Sequence, residues 1–319
     1  MLIVKEGEIV RLLEEVNAER MKEDLFHLAE DPLPFRKLNF TLPGHEKNTL
    51  YEADDYIRSQ LEACSYTVWE EGCEVQAFRP GALKPRFERP HPDDPWYVAY
   101  NLYAERRGRM YPDEIILLLS HKDSQSWIDS PGAYDNAVGT VANMEIARVL
   151  SDYEPKRTIR FLFCNEEHTP WTSITAAKNA RERGDNLIAV INIDSLGGKS
   201  KDTIEVGLKT NVTLYTTPEG ERLADLMLEL NECYRIGLAQ SKARRERPGD
   251  DDGSFIVEGF SAAVMNVGSF PYADPCYHRE CDEPGRVDII NVRLATQLTL
   301  AGCLYLDAHG LVYQPNQTP

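Results

Sequence analysis

The stretch EIILLLSHKDS, Glu114 to Ser124, decides the fold. Its continuous apolar run, Ile115 to Leu119, reads as a strand buried on both faces, because a half-exposed strand would alternate apolar and polar residues. The strand ends at His121, with Asp123 two residues beyond.

Downstream the pattern alternates. A helix is expected over Ala137 to Leu150, a strand over Thr158 to Cys164, a helix from about Ser173 to Arg183 and a second buried strand over Leu187 to Asp194. After a less regular section, Ser195 to Pro218, come a helix near Glu219 to Cys233, a strand in SAAVMNVG (Ser261 to Gly268) and a closing helix from Val287 to about His309. Upstream, helical periodicity over Gly7 to Glu30 and Glu52 to Ala63 marks covering helices within about residues 1–65, and Tyr97 to Ala104 reads as a further strand. Strands alternating with helices predict an α/β fold: a mixed, mainly parallel central sheet flanked by helices on both faces. No repeat, low-complexity segment or Gly/Ser-rich linker divides the chain, so residues 1–319 are expected to form one domain.

The formal charge of −17 argues against a nucleic-acid partner, which would need clustered Lys and Arg. The one basic cluster, KARRER (Lys242 to Arg247), is short and runs at once into acids, so it reads as a solvated loop or a rim near a substrate entrance. No apolar run reads as long enough to cross a bilayer, and the N-terminus MLIVKEGEIVRLLEEVNAER lacks the apolar centre of a secretory signal, so a soluble cytoplasmic protein without a membrane partner is expected unless a leader was trimmed. Seven irregularly spaced cysteines fit reduced thiols better than a disulfide framework.

In open α/β sheets, ligands gather beyond the carboxyl ends of the strands. Every predicted exit carries an imidazole or a carboxylate: His121 and Asp123, then Asp135 in GAYDNAVG, Glu166 and Glu167 in NEEH, Asp194, and His278 and Asp282 in SFPYADPCYHRECD. Each has a plain reading alone. Asp135 and Asn136 could cap the following helix, and the others could be solvated or turn residues. A metal site is the reading that puts them in one place. Two imidazoles with several carboxylates suit zinc, manganese or cobalt, and the lack of aligned thiolates argues against a closed structural zinc site. One carboxylate shared between two ions, with a His and an acid completing each, would make a two-metal site.

The series SHKDS, GAYDNAVGTVANMEIARVL, RTIRFLFCNEEH, INIDSLGG and YHRECDEPGRVD, in this order, resembles the M28 family of zinc peptidases, which includes bacterial leucyl aminopeptidases and glutaminyl cyclases. The resemblance implies the three-layer sandwich of zinc-dependent exopeptidases and two zinc ions. It implies His121 and Asp194 on one ion, Glu167 and His278 on the other, Asp135 shared, Glu166 as general base and Asp123 orienting His121. Departures occur at Asn165, where a small residue is usual, at a strand-to-Glu spacing shorter by one residue, at Asp252, where Asp251 would be followed by His, and at Arg279, where Thr is common.

Other features are weaker. GGKS (Gly197 to Ser200) lacks the upstream Gly of a phosphate loop, and Cys276, His278 and Cys281 lack a fourth partner for a metal knuckle. His168 could line the site or cap a helix, and Trp171, Phe270, Tyr272 and Tyr277 could form an apolar pocket for a substrate side chain. The expected function is a metal-dependent hydrolase of peptide bonds, an aminopeptidase acting on peptide or aminoacyl substrates. The alternatives are a glutaminyl-cyclase-like acyl transferase with one zinc and a non-catalytic binding module.

Overall fold

A computed structural model of the chain describes residues 7–79 and 89–311. The run read as a doubly buried strand is β3 (Tyr111–His121). Its side chains alternate between two cores, as the pleat requires. Ile116 and Leu118 join Phe161, Ile191 and Val264 on one face, whereas Ile115, Leu117 and Leu119 join Leu162, Val190 and Phe255 on the other. With both faces filled by apolar packing, nothing in the sequence needs to alternate.

Seven further strands complete the sheet: β1 (Trp69–Gln76), β2 (Trp96–Arg106), β4 (Arg157–Cys164), β5 (Asn186–Ile193), β6 (Thr210–Tyr215), β7 (Ala239–Arg244) and β8 (Ala263–Val267). Their order is β1-β2-β4-β3-β5-β8-β6-β7. The pairs β3–β4, β3–β5, β5–β8 and β6–β7 are parallel, and β1–β2, β2–β4 and β6–β8 are antiparallel. The sheet is therefore mixed and mainly parallel. The larger core is covered by α1 (Gly7–Glu14), α2 (Ala18–Ala29), α3 (Thr49–Ala63), α4 (Val138–Val149), α7 (Pro218–Tyr234) and α9 (Ile289–His309), and the smaller by α5 (Thr172–Arg183) and α8 (Asp250–Val257). Parallel neighbours point the exits of β3, β4, β5 and β8 to one end of the molecule, which is where the candidate ligands stand.

Several expectations are corrected. The helical pattern over Gly7 to Glu30 is two helices, because Asn17 breaks it: its side chain accepts from the backbone N–H groups of Glu19 and Arg20, and its own N–H donates to Glu145. The section 195–218 holds a short helix, α6 (Lys201–Glu205), and β6. KARRER is not a loop through its first half. Lys242 lies in the edge strand β7 and pairs with Glu221 and Asp225, and charges on an edge discourage unwanted strand pairing. Cys276 and Cys281 form a disulfide, since the loop between them turns back to bring their Cα atoms 5.4 Å apart. Finally, α9 is long and apolar enough to cross a membrane by length and composition, yet 72% of that span is buried among the other elements, the pattern of a core helix.

Candidate metal centre

The turn before α4 separates capping from the site. Gly132 enters it with φ +58, and a Cβ there would stand 2.5 Å from the Asp135 carbonyl oxygen, so the tight turn needs glycine. Asn136 then takes the capping work. Its Oδ1 accepts from Gly139 N at 2.9 Å and Ser195 N at 3.1 Å, and its Nδ2 donates to Ile193 O at 2.9 Å, which ties the turn to the exit of β5. Asp135 is left to face inward.

Asp135 stands between the two imidazoles. Its Oδ1 lies 3.1 Å from His121 Nε2, and its Oδ2 lies 2.9 Å from His278 Nε2. Asp194 Oδ1 is 3.6 Å from His121 Nε2, and Glu167 Oε1 is 2.8 Å from His278 Nε2. The result is two three-residue groups, His121–Asp135–Asp194 and Asp135–Glu167–His278, each with its ligand-type atoms within 4.8 Å of one another. All five residues that the sequence proposed as ligands are brought together, and in the expected grouping.

Asp123 lies beneath them. Its carboxylate meets His121 Nδ1 at 3.2 Å and His168 Nδ1 at 2.8 Å, and it accepts from the backbone N–H groups of Glu166 and Glu167 at 2.9 and 2.8 Å. One side chain thus fixes an imidazole and the start of the Glu pair. Burial opposes its ionisation, but the hydrogen bonds from His121 and His168 hold it well below the usual carboxylate range. His168, whose role the sequence left open, is buried, and its Nε2 accepts from Leu38 N at 3.3 Å. Asp282 accepts from the backbone N–H groups of Tyr134 and Asp135 at 3.0 and 3.1 Å, joining the His278 loop to the Asp135 turn. Arg36, fully buried, donates to the carbonyl oxygens of Lys122, Pro131 and Gly132 and so braces both segments.

The charge state of the cluster follows from its neighbours. Burial acts to lower the histidine pKa values, yet Asp123, Asp135 and Asp194 raise His121 well above its ordinary value, and Glu167 and Asp135 raise His278 to about 10. Asp135 is pushed down despite burial by its bonds to both imidazoles. Glu166 goes the other way. Burial, then the negative charges of Asp251 and Asp250, raise it well above its ordinary value, and its Oε2 has no hydrogen-bond partner among the described residues. Of two adjacent glutamates, one is engaged with an imidazole and the other lies beside further acids, where its charged form is disfavoured.

The surroundings differ from the sequence reading in detail. The segment GDDDGSF forms the first turns of α8: Asp251 is buried and accepts from Cys164 Sγ at 3.1 Å, while Asp252 pairs with Arg245. Tyr277 stacks on His278 with ring centroids 3.9 Å apart, and Tyr272 packs on Tyr277 at 4.5 Å. Trp127 meets His278 edge-on at 5.3 Å and Phe78 at 5.6 Å. Trp171 immediately precedes α5, and Phe270 is exposed. Sequence reasoning missed Trp127 and Gln125. Their only signal was position, a few residues past the His121 exit in a segment, Ser124 to Trp127, that is buried throughout.

The model of "Peptidase family M28" matches residues 101–301. A relative named "Probable aminopeptidase YDR415C" from Saccharomyces cerevisiae is 26% identical over 223 residues, covering 66% of this chain and 58% of that protein. A "Probable zinc metalloprotease" from Pyrenophora tritici-repentis is 32% identical over 108 residues, covering 32% of this chain and 25% of its own length. The chain thus spans less than two thirds of either relative. Among solved structures, the LapA aminopeptidase of Legionella pneumophila superposes with a TM-score of 0.73 at 18% identity, over 97% of this chain and 77% of that one. A glutaminyl cyclase from Bacteroides thetaiotaomicron superposes with a TM-score of 0.67 at 17% identity, over 91% and 98%. At these identities the likeness is one of fold.

Proposed function

Because the chain belongs to peptidase family M28, we propose that it is a zinc-dependent aminopeptidase whose centre is the cluster around Asp135. The observation that carries this reading is the sharing of Asp135 by two groups, each completed by one imidazole and one further acid. Two imidazoles and three carboxylates match the donor preferences of zinc. His121 and Asp194 would hold one ion, Glu167 and His278 the other, and Asp135 both. When bound, the zinc pair supplies Lewis acidity toward the scissile carbonyl and acidifies water.

The chain's own residues supply the rest. Glu166, as the carboxylate, takes a proton from the attacking water and returns it to the leaving amine; burial and the charges of Asp251 and Asp250 raise its affinity for that proton, and its Oε2 is left without a hydrogen-bond partner among the described residues. Asp123 keeps the His121 ring turned so that Nε2 faces the site, since its Nδ1 is engaged at 3.2 Å. The acid-rich surroundings favour a substrate that enters with a free amine, whose positive charge the carboxylates attract. Tyr277, half-exposed beside His278, and the buried Trp127 offer an apolar wall for a side chain.

The reading predicts that a peptide with a free N-terminus is cleaved at its first bond and that its N-acetylated twin is not, because acetylation removes the charge and the amine lone pair. Mass spectrometry of the two digests decides this. Equal cleavage, or internal cleavage, would rule out an aminopeptidase while leaving a metal hydrolase standing.

A further inference from the structure

The segment between His121 and the Asp135 turn carries a polar side chain that the proposed reaction does not use. Gln125 is fully buried. Its Nε2 stands 3.0 Å from Asp135 Oδ2 and 3.0 Å from Glu167 Oε1, the same two oxygens that meet His278 Nε2 at 2.9 and 2.8 Å. It also reaches the Asp135 carbonyl oxygen at 3.3 Å. An amide NH2 carries two hydrogens, so this one group can donate to both carboxylates at once.

The rest of the amide gains nothing from its place. Its Oε1 is buried with no hydrogen-bond partner among the described residues, and an unmet buried acceptor destabilises a fold. The site on the other side of Asp135 has a different arrangement: Asp194 Oδ1 accepts from the Ser195 hydroxyl at 3.0 Å instead. Gln125 therefore meets the two oxygens that face His278, and of the shared Asp135 carboxylate it holds Oδ2 and not the Oδ1 that faces His121.

We propose that Gln125 is the positioning residue of the Asp135–Glu167–His278 group, holding two carboxylate oxygens convergent and so setting the affinity of that position alone for a divalent cation. The inference rests on the two-zinc reading above. Two carboxylates aimed at one point repel each other until a cation lies between them. Two neutral N–H donors offset that repulsion without adding a positive charge that would compete with the ion. Without them the oxygens splay, and binding must bring them back together. Loss of an outer hydrogen bond to a metal-binding side chain typically costs about 10–100-fold in affinity.

The test is isothermal titration of zinc chloride into chelator-stripped protein, for the wild type, Gln125→Met, which keeps the side chain's bulk without its donors, and Gln125→Ala. Thermal unfolding of each stripped protein establishes that it is folded. The wild type should bind two zinc ions, and Gln125→Met should bind one with unchanged affinity and the other about 10–100-fold more weakly. In a His278→Ala background, where the His121 position alone remains, adding Gln125→Met should change nothing. Equal weakening at both positions, or none at either, with two ions bound to the wild type, would overturn the role of Gln125 and leave the two-zinc reading intact. A wild type binding fewer than two ions would overturn both.

Discussion

At the amino ends of the parallel strands each buried arginine has its acids beside it, whereas at the carboxyl ends the acids outnumber the cations that face them. Arg160 holds Glu105 and Asp185 at 3.0 and 2.7 Å around a cleft of about 330 Å³, and Arg157 pairs with Glu114 at 2.5 Å. These charges are matched locally and need nothing else. At the other end, the imidazoles of His121, His168 and His278 face Asp123, Asp135, Asp194 and Glu167, with Glu166 and Asp251 close by, each carrying an oxygen without a hydrogen-bond partner among the described residues. Burying excess negative charge is costly, and a divalent cation is what offsets it. Imbalance, more than the presence of charge, separates the working end of the sheet from the structural end.

Substitutions at the two ends sharpen this contrast, and the largest effect belongs at Glu166. Glu166→Gln keeps shape and loses the ability to accept a proton, so turnover should fall about a hundred-fold or more while zinc content stays at the wild-type level. Kinetics alongside elemental analysis of the same preparation checks this. Loss of zinc with activity retained would mean that Glu166 binds metal and Glu167 is the base.

The next effect is one of pH. His278 gains its raised pKa of about 10 from Glu167 and Asp135, against the effect of burial. In stripped protein this pairing stabilises the fold fully below the unfolded-state histidine value of about 6.5, and the contribution disappears as pH rises through about 10. Denaturant stability of the stripped protein should therefore decline from about pH 6 to pH 10, and that of His278→Ala should decline less. Parallel profiles for the two proteins would show that the imidazole is not coupled to the acids.

The smallest effect belongs to the balanced end. Arg160→Met removes this partner from Glu105 and leaves Asp185 with Arg183, and both acids reach water in part, so it should cost about 1–2 kcal/mol of stability. Its kcat/KM should stay within about twofold of the wild type. A large loss of activity would mean that the two ends of the sheet are coupled.

The same contrast explains what was legible in the sequence. His121, Asp123, Asp135, Glu166, Glu167, Asp194, His278 and Asp282 could be picked out as candidates because strand exits are where loops bring such side chains together, whereas their sorting into ligands and others was implied by the family resemblance. The doubly buried β3 was visible as an unbroken apolar run. Gln125 was not, since an amide's role depends on which oxygens it meets, and Glu167 is 42 residues away. Nor was Asn136, rather than Asp135, visible as the residue that caps α4, because either side chain can cap and only the turn decides. β1, β6 and β7 escaped for a different reason. They lie at or near the sheet edges, where β1 and β7 are largely exposed, so their sequences carry charges and polar residues in place of an apolar run.

The central claim is that the unbalanced acids around Asp135 are a zinc site that performs hydrolysis. It is tested most directly by counting zinc per chain while measuring hydrolysis of aminoacyl substrates, before stripping, after stripping and after adding zinc back. The account predicts about two zinc ions per chain in the active protein, loss of activity with the metal and recovery on its return. Protein that binds no zinc and gains no hydrolytic activity when zinc is supplied would contradict it.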